Sequence, residues 1–267
     1  MADIVSKLAA NRTLIGLNIM YPSPGVVERI APDWDFIWVD GQHGQIGYSE
    51  MLNLVRACDL VNVPALVRVP WLEFGAVGMV LDSNAAGVIV PCVDSVEEAK
   101  AAVAAAKFPP LGRRSYGGRR PIDRQGRGYA STANVDRLLI VQIESPQAIE
   151  NAQAIASIPG VDALFLGPDD VMLRRGHAMD APRTAAMLEP DMRAVSDACK
   201  QHGKFAMSVA MGAEMFNLHT AMGFNMIVAG SDVPFLANGS KAAAGEARGW
   251  LAGRSSNSPA ASGKSIY

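Results

Sequence analysis

Cysteine is scarce in this 267-residue chain: Cys58, Cys92 and Cys199 stand far apart without C-x-x-C spacing. That excludes a disulfide framework and fits a reduced, cytoplasmic protein. Basic excess is lacking too. Twenty-four Lys and Arg against twenty-six Asp and Glu give a net charge of −2. Nothing is left over to neutralise a phosphate backbone, which argues against a nucleic-acid partner. No uncharged apolar run reaches the ~18 residues a membrane span needs. Residues 1–12 mix charge with short apolar stretches and show no signal-peptide core. H-E-x-x-H, G-x-S-x-G and Walker A segments are missing, as is a lysine at the end of any apolar run. The last absence disfavours a Schiff-base aldolase.

What is present is apolar: 49% of residues against 19% charged, enough for a sizeable core. Short apolar runs recur at 14–20, 36–39, 65–69, 87–90, 138–143, 163–166, 205–209 and 225–229. With little polar alternation, each reads as a strand buried on both faces. Helical patterns lie between them. Residues 49–60 place Met51, Leu54, Val55 and Cys58 on one face. Ser95-Val96-Glu97-Glu98 is a capping box opening a helix to Lys107. Ser145-Pro146 starts a third, with proline where no amide is missed. Residues 189–202 form a fourth. Eight such strands, most followed by a helix, predict a single-domain α/β fold, a closed (β/α)8 TIM barrel over residues 1–252. The rival, a doubly wound open sheet, would show G-x-G-x-x-G after its first strand, and Ile15-Gly16-Leu17-Asn18 does not supply it. Residues 109–136, with many Gly and Arg, read as an ordered excursion or lid. Residues 253–267, rich in Ser, Ala and Gly, read as a disordered tail.

Barrel chemistry sits at strand C-termini. There the sequence places Asp40, Gln42 and His43 after strand two, Arg68 on strand three, Gln142 and Glu144 on strand five, and Gly167-Pro168-Asp169-Asp170 after strand six. Glu144 and Asp170 are about one βα unit apart and cap neighbouring strands. Two carboxylates with open positions suit a hard divalent cation such as Mg²⁺ or Mn²⁺. The same spacing is met by a helix-capping Asp170 and a solvated Glu144. His43 is a candidate base, or a hydrogen-bonded structural histidine. Asp82, read as a helix-end residue near the barrel mouth, is a candidate to orient it; its other reading is a plain helix-terminal aspartate. Arg68 on an apolar strand requires an anion, either a carboxylate guest or an internal partner such as Asp40 or Glu144. The backbone amides that open the helix after Gly167-Pro168 suit a substrate carboxylate.

In this order and spacing the chain resembles the HpcH/HpaI family of metal-dependent (class II) pyruvate aldolases. The stretches that carry the resemblance begin with Trp34-Asp35-Phe36-Ile37-Trp38-Val39-Asp40-Gly41-Gln42-His43-Gly44, Val67-Arg68-Val69-Pro70 and Gly87-Val88-Ile89-Val90-Pro91. They continue with Phe108-Pro109-Pro110-Leu111-Gly112-Arg113-Arg114, Val141-Gln142-Ile143-Glu144-Ser145 and Gly160-Val161-Asp162-Ala163-Leu164-Phe165-Leu166-Gly167-Pro168-Asp169-Asp170. The resemblance implies cleavage or formation of 4-hydroxy-2-oxo acids, giving pyruvate and an aldehyde through a metal-stabilised enolate. It implies Glu144 and Asp170 as ligands of Mg²⁺, Mn²⁺ or Co²⁺, and His43 with Asp82 as the acid/base dyad. It further implies Arg68 at the pyruvyl oxygen, Gln142 beside metal and pyruvate, and the amides of Asp169 and Asp170 as the carboxylate cradle. A homo-oligomer, trimer or hexamer, with exchanged C-terminal helices is the implied assembly. Gln42, Asn18, Asn84 and Asp169 depart from the usual pattern, which bears on substrate choice. Two alternatives stay open. One is a citrate-lyase-like or malyl-CoA-type lyase using Arg113, Arg114, Arg119, Arg120, Arg124 and Arg127 for a coenzyme phosphate. The other is a non-catalytic metabolite-binding barrel. Tyr21, Tyr116, Met20 and Met211 are candidates for the aldehyde pocket.

Overall fold

The computed structural model describes residues 4–254. Eight parallel strands pair in chain order and close on themselves: β1 (Leu14–Ile19), β2 (Phe36–Asp40), β3 (Ala65–Arg68), β4 (Gly87–Val90), β5 (Leu138–Ile143), β6 (Ala163–Leu166), β7 (Phe205–Val209) and β8 (Met226–Ser231). The last pairs back onto the first. This is the expected (β/α)8 barrel, and β4 to β7 coincide residue for residue with the apolar runs. The helices are α1 (Ile4–Ala9), α2 (Pro24–Ile30), α3 (Tyr48–Leu60), α4 (Phe74–Asp82), α5 (Val96–Ala106), α6 (Arg119–Gln125), α7 (Ala130–Asp136), α8 (Pro146–Glu150), α9 (Ala152–Ala156), α10 (Pro168–Arg174), α11 (Ala185–His202), α12 (Ala213–Met222) and α13 (Asp232–Arg254). No described helix is long and apolar enough to cross a membrane.

Local chemistry explains several boundaries. The capping box forms: the Glu98 amide donates to Ser95 Oγ at 3.2 Å, and Ser95 N–H donates back to Glu98 Oε2 at 2.9 Å. Ser145 Oγ accepts from the Ala148 amide at 2.9 Å, so Ser145-Pro146 does open a helix. That helix breaks at Asn151, whose side chain donates to the Asp94 carbonyl instead of staying on the surface. The helix expected from Glu189 begins at Ala185 and carries Pro190 in its second turn, where one i→i−4 hydrogen bond is forfeited. Of the tail expected from residue 253, Gly253 and Arg254 close α13, and residues 255–267 lie outside the described residues.

Two apolar layers hold the barrel. Between strands and helices lies a shell including Leu17, Ile37, Leu54, Val88, Leu139, Leu164 and Val195. Inside the barrel pack Leu14, Phe36, Trp38, Leu66, Ile89, Ile140, Phe165, Met207 and Val228. Each such side chain contributes about 1.5–3 kcal/mol on burial. Gly16 belongs to this fit, since a Cβ there would fall 2.2 Å from the Phe36 ring. Ile4 and Leu8 of α1 join the interior cluster and close the end where the strands begin.

The segment 109–136 is not a lid. It leaves the C-terminus of α5, which lies where β5 starts, at the rim opposite the strand C-termini. Lys107 anchors that rim. Its Nζ is fully buried and donates to the carbonyls of Asn134 (2.9 Å) and Arg137 (2.8 Å) and to Asp162 Oδ2 (2.6 Å). Lys107→Met is expected to destabilise the protein by about 3–5 kcal/mol, read from urea unfolding, because it strands the Asp162 carboxylate and two carbonyls.

Candidate active site

Side chains pointing into the barrel change character along the strands. Leu, Phe and Ile fill the lower levels, whereas the upper ends of β1, β2, β3 and β5 carry Asn18, Asp40, Arg68 and Gln142, all buried. Register explains their meeting: Asp40 pairs directly with Arg68 across β2 and β3. Arg68 Nε and Nη2 donate to the two Asp40 oxygens at 2.9 and 2.5 Å. Its Nη1 donates to Gln142 Oε1 at 3.2 Å, and Gln142 Nε2 donates to Glu144 Oε2 at 2.6 Å. One chain of charge-assisted bonds thus crosses the barrel mouth from Asp40 to Glu144. The Trp38 ring lies 4.6 Å beneath the Arg68 guanidinium, and Phe165 meets that ring edge-on.

Of the two readings of Arg68, the internal partner Asp40 is the one realised. Burial alone would raise the Asp40 pKa, but the Arg68 guanidinium and the amides of His43 and Gln42 outweigh it and hold the carboxyl below its ordinary range. Three of the five Arg68 N–H groups are occupied; two are left beside the cavity that Arg68 lines.

This cavity, about 420 Å³, opens at the strand C-termini and brings His43, Arg68, Gln142, Gly167, Pro168, Asp169 and Asp170 together. Its apolar wall is Trp38, Phe165, Leu188, Val209, Met211 and Met215. Glu144 lies just under it. A Cβ at Gly167 would fall 2.9 Å from the Glu144 Cβ and 3.1 Å from its Oε2, so only glycine lets α10 start this close to the carboxylate. Glu144 is 2% exposed and accepts only from neutral donors, the Cys92 amide (2.7 Å) and Gln142. A buried carboxylate without a cation in contact is the condition a metal ion relieves. Its oxygen donors, with those of Asp170 in the first turn of α10 after β6, are of the kind a hard divalent cation takes. Among the described residues no cluster of three or more His, Cys, Asp or Glu forms a complete cage, so further oxygens would come from water or substrate.

Asp82 is misplaced by the sequence reading. It closes α4 where that helix has returned to the opposite rim, and Arg114 Nη2 donates to it at 2.7 Å. Within one chain it does not meet His43; Asp40 instead accepts from the His43 amide at 3.2 Å. The arginines considered for a coenzyme phosphate share that far rim. Arg120 pairs with Asp59, Arg119 with Asp123 and Arg114 with Asp82, so they build no groove to this cavity. Tyr116 also belongs there, stacked on Tyr129. Of the aldehyde-pocket candidates, Met211 lines the cavity. Met20 and Tyr21 instead give their amides to Asp232.

The sequence reading missed Cys92, Asp232 and Arg183. Cys92 acts through a backbone amide, its left-handed φ of 54° following the end of β4. Asp232 ties the β1 loop to the start of α13 across more than two hundred residues. Arg183 lines the cavity from a stretch without periodicity.

A family model described as HpcH/HpaI aldolase/citrate lyase matches residues 26–239. The chain is 31% identical over 229 residues to the 2-dehydro-3,6-dideoxy-6-sulfogluconate aldolase of Pseudomonas putida, covering 83% of this chain and 88% of that protein. It is 30% identical over 252 residues to a hydroxypyruvate/pyruvate aldolase of Paraburkholderia phytofirmans, covering 91% and 96%. The crystal structure of an HpcH/HpaI aldolase from Desulfitobacterium hafniense matches with a TM-score of 0.82 at 25% identity, over 93% of this chain and 97% of that one.

Asp40→Asn is expected to cost about 3–5 kcal/mol at pH 7, since it leaves the buried Arg68 charge uncompensated. A depressed folded pKa means the contribution of Asp40 is present above the unfolded carboxylate pKa and lost as pH falls through the folded one. The melting curves of wild type and variant should therefore start to approach each other below about pH 4 and meet only once pH has fallen past the depressed folded value.

Proposed function

From membership of the HpcH/HpaI aldolase/citrate lyase family, to which this chain belongs as a carbon–carbon lyase, we propose that it cleaves and forms 4-hydroxy-2-oxo acids, with pyruvate and an aldehyde as the two fragments. What supports this is the mouth of the barrel: a buried Glu144 with only neutral donors, and a cavity that His43, Arg68, Gln142 and Asp170 line together.

In this reading Glu144 and Asp170 hold a divalent cation, Mg²⁺, Mn²⁺ or Co²⁺, which supplies Lewis acidity toward the 2-oxo and carboxylate oxygens when bound. Arg68 turns its two remaining N–H groups to the 2-oxo oxygen, where negative charge develops as the C3–C4 bond breaks. Its orientation is fixed beforehand by Asp40 and Gln142. The first-turn amides at Asp169 and Asp170, which lack intrahelical acceptors, take the substrate carboxylate. His43, on the loop after β2, accepts the 4-hydroxyl proton. The electrons of the broken bond pass to the oxo-acid fragment, and a proton returned to C3 yields pyruvate as the aldehyde departs.

A dyad of His43 with Asp82 requires a second copy of the chain, because one copy keeps them at opposite rims. A homo-oligomer is favoured by α13 as well, whose Phe235, Leu236, Trp250 and Leu251 stand about half or more exposed.

Exchange of the pyruvate methyl protons with deuterated water tests the reading. Exchange should stop after exhaustive chelation and return with Mn²⁺, Mg²⁺ or Co²⁺. Asp170→Ala should weaken Mn²⁺ binding at least tenfold, and Arg68→Ala should abolish exchange while Mn²⁺ still binds. Full exchange in the chelated protein would overturn the mechanism.

A further inference from the structure

Two carboxylates that share a cation need a fixed separation, yet Glu144 and Asp170 stand on different elements. Glu144 follows β5, and Asp170 lies in the first turn of α10. One tie between them starts at Arg174, the last residue of α10. Four residues after Asp170, it shares a face of the helix with it. Arg174 Nη1 donates to Asp94 Oδ2 at 3.2 Å and Nη2 to Cys92 Sγ at 3.7 Å, both in the connection between β4 and α5. The same connection grips Glu144. The Cys92 amide donates to Glu144 Oε1 at 2.7 Å, and Asp94 Oδ1 accepts from Oγ of the adjoining Ser145 at 2.6 Å. A continuous path thus runs from Asp170 along one helical turn to Arg174, across to Cys92 and Asp94, and on to Glu144.

Two features set this tie apart. Cys92 has a left-handed backbone, φ 54°, which a non-glycine residue keeps only where its surroundings hold it. Its amide is the one that reaches Glu144, so whatever steadies Cys92 steadies the carboxylate. The Arg174–Asp94 pair, with side chains 36% and 28% exposed, adds little to global stability. Arg175, the next residue, is the stability clamp, with both Nη groups donating to the buried Asp191 at 2.5 and 2.8 Å. Neighbouring arginines therefore do different work: Arg175 docks the helix on α11, and Arg174 reaches the strand end that bears Glu144.

We infer that Arg174 is a positioning residue: by holding Cys92 and Asp94 from the end of α10, it fixes the separation of the Asp170 and Glu144 carboxylates and so the cation they accept. This rests on the reading of those two side chains as metal ligands. A fixed gap matters most to a small cation with strict octahedral demands and least to Ca²⁺, whose coordination is flexible.

The test titrates Mn²⁺, read from the electron paramagnetic resonance of the free ion, and Ca²⁺ by competition. The proteins are wild type, Arg174→Met, Arg174→Lys, Asp94→Asn and Arg175→Met. Arg174→Met should weaken Mn²⁺ binding about tenfold and Ca²⁺ binding less than about threefold. The Tm of the metal-free protein should stay within about 2 °C. Asp94→Asn should act alike, and combining it with Arg174→Met should cost no more than either change alone. Arg174→Lys, which keeps the charge without the fork, should recover part of the affinity. Arg175→Met should lower the Tm and leave Mn²⁺ binding unchanged. Unchanged Mn²⁺ binding in Arg174→Met, an equal loss for both ions, or an equal loss in Arg175→Met overturns the inference. A wild-type protein that binds no Mn²⁺ overturns the ligand reading itself.

Discussion

The bidentate pair of Asp40 and Arg68 is the constraint around which the mouth of the barrel is arranged. A guanidinium on an apolar strand, packed over Trp38 and 5% exposed, is costly without an anion beside it. Asp40 compensates it from the adjacent strand, and strand register rather than loop conformation sets their separation. With Nε and Nη2 committed, the remaining edge of Arg68 points one way, to Gln142 and into the cavity. Gln142 passes the order on to Glu144. Rigidity thus comes from the sheet, which is the better support for groups that must be held to fractions of an ångström.

The barrel divides its charge between two ends. At the far rim Lys107 pairs with Asp162, Arg114 with Asp82 and Arg120 with Asp59. At the mouth, Glu144 has only neutral donors, and Arg68 and Arg183 keep N–H groups free. Complete pairing serves stability, and incomplete pairing leaves groups ready for a ligand. In the arginine-rich segment between α5 and β5, Arg114, Arg119 and Arg120 are each paired with a carboxylate, which weakens the argument for a coenzyme groove built from them.

Much of this was legible in the sequence. Strands buried on both faces read as unbroken apolar runs, so β4 to β7 were found to the residue. Polar residues ending those runs pointed to Asp40, Arg68, Gln142, Glu144 and Asp170. What failed was direction. Asp82 was set near the mouth and residues 109–136 were read as an ordered excursion or lid, yet each follows a helix, and a helix after a barrel strand carries the chain back to the other end. Arg183 and Cys92 were illegible for another reason. One lies in an aperiodic connection and the other contributes a backbone amide, and neither leaves a trace in hydropathy. Asp232 was hidden by its distance along the chain from the loop it fastens.

The short first helix has a consequence for traffic. With Ile4 and Leu8 stoppering the base of the barrel, whatever enters must turn round and leave by the same door. Two fragments made side by side there are obliged to queue, and the one seated nearer the opening goes first. Anything that lingers at the doorway, a slow-leaving aldehyde above all, would then govern the pace for the fragment behind it.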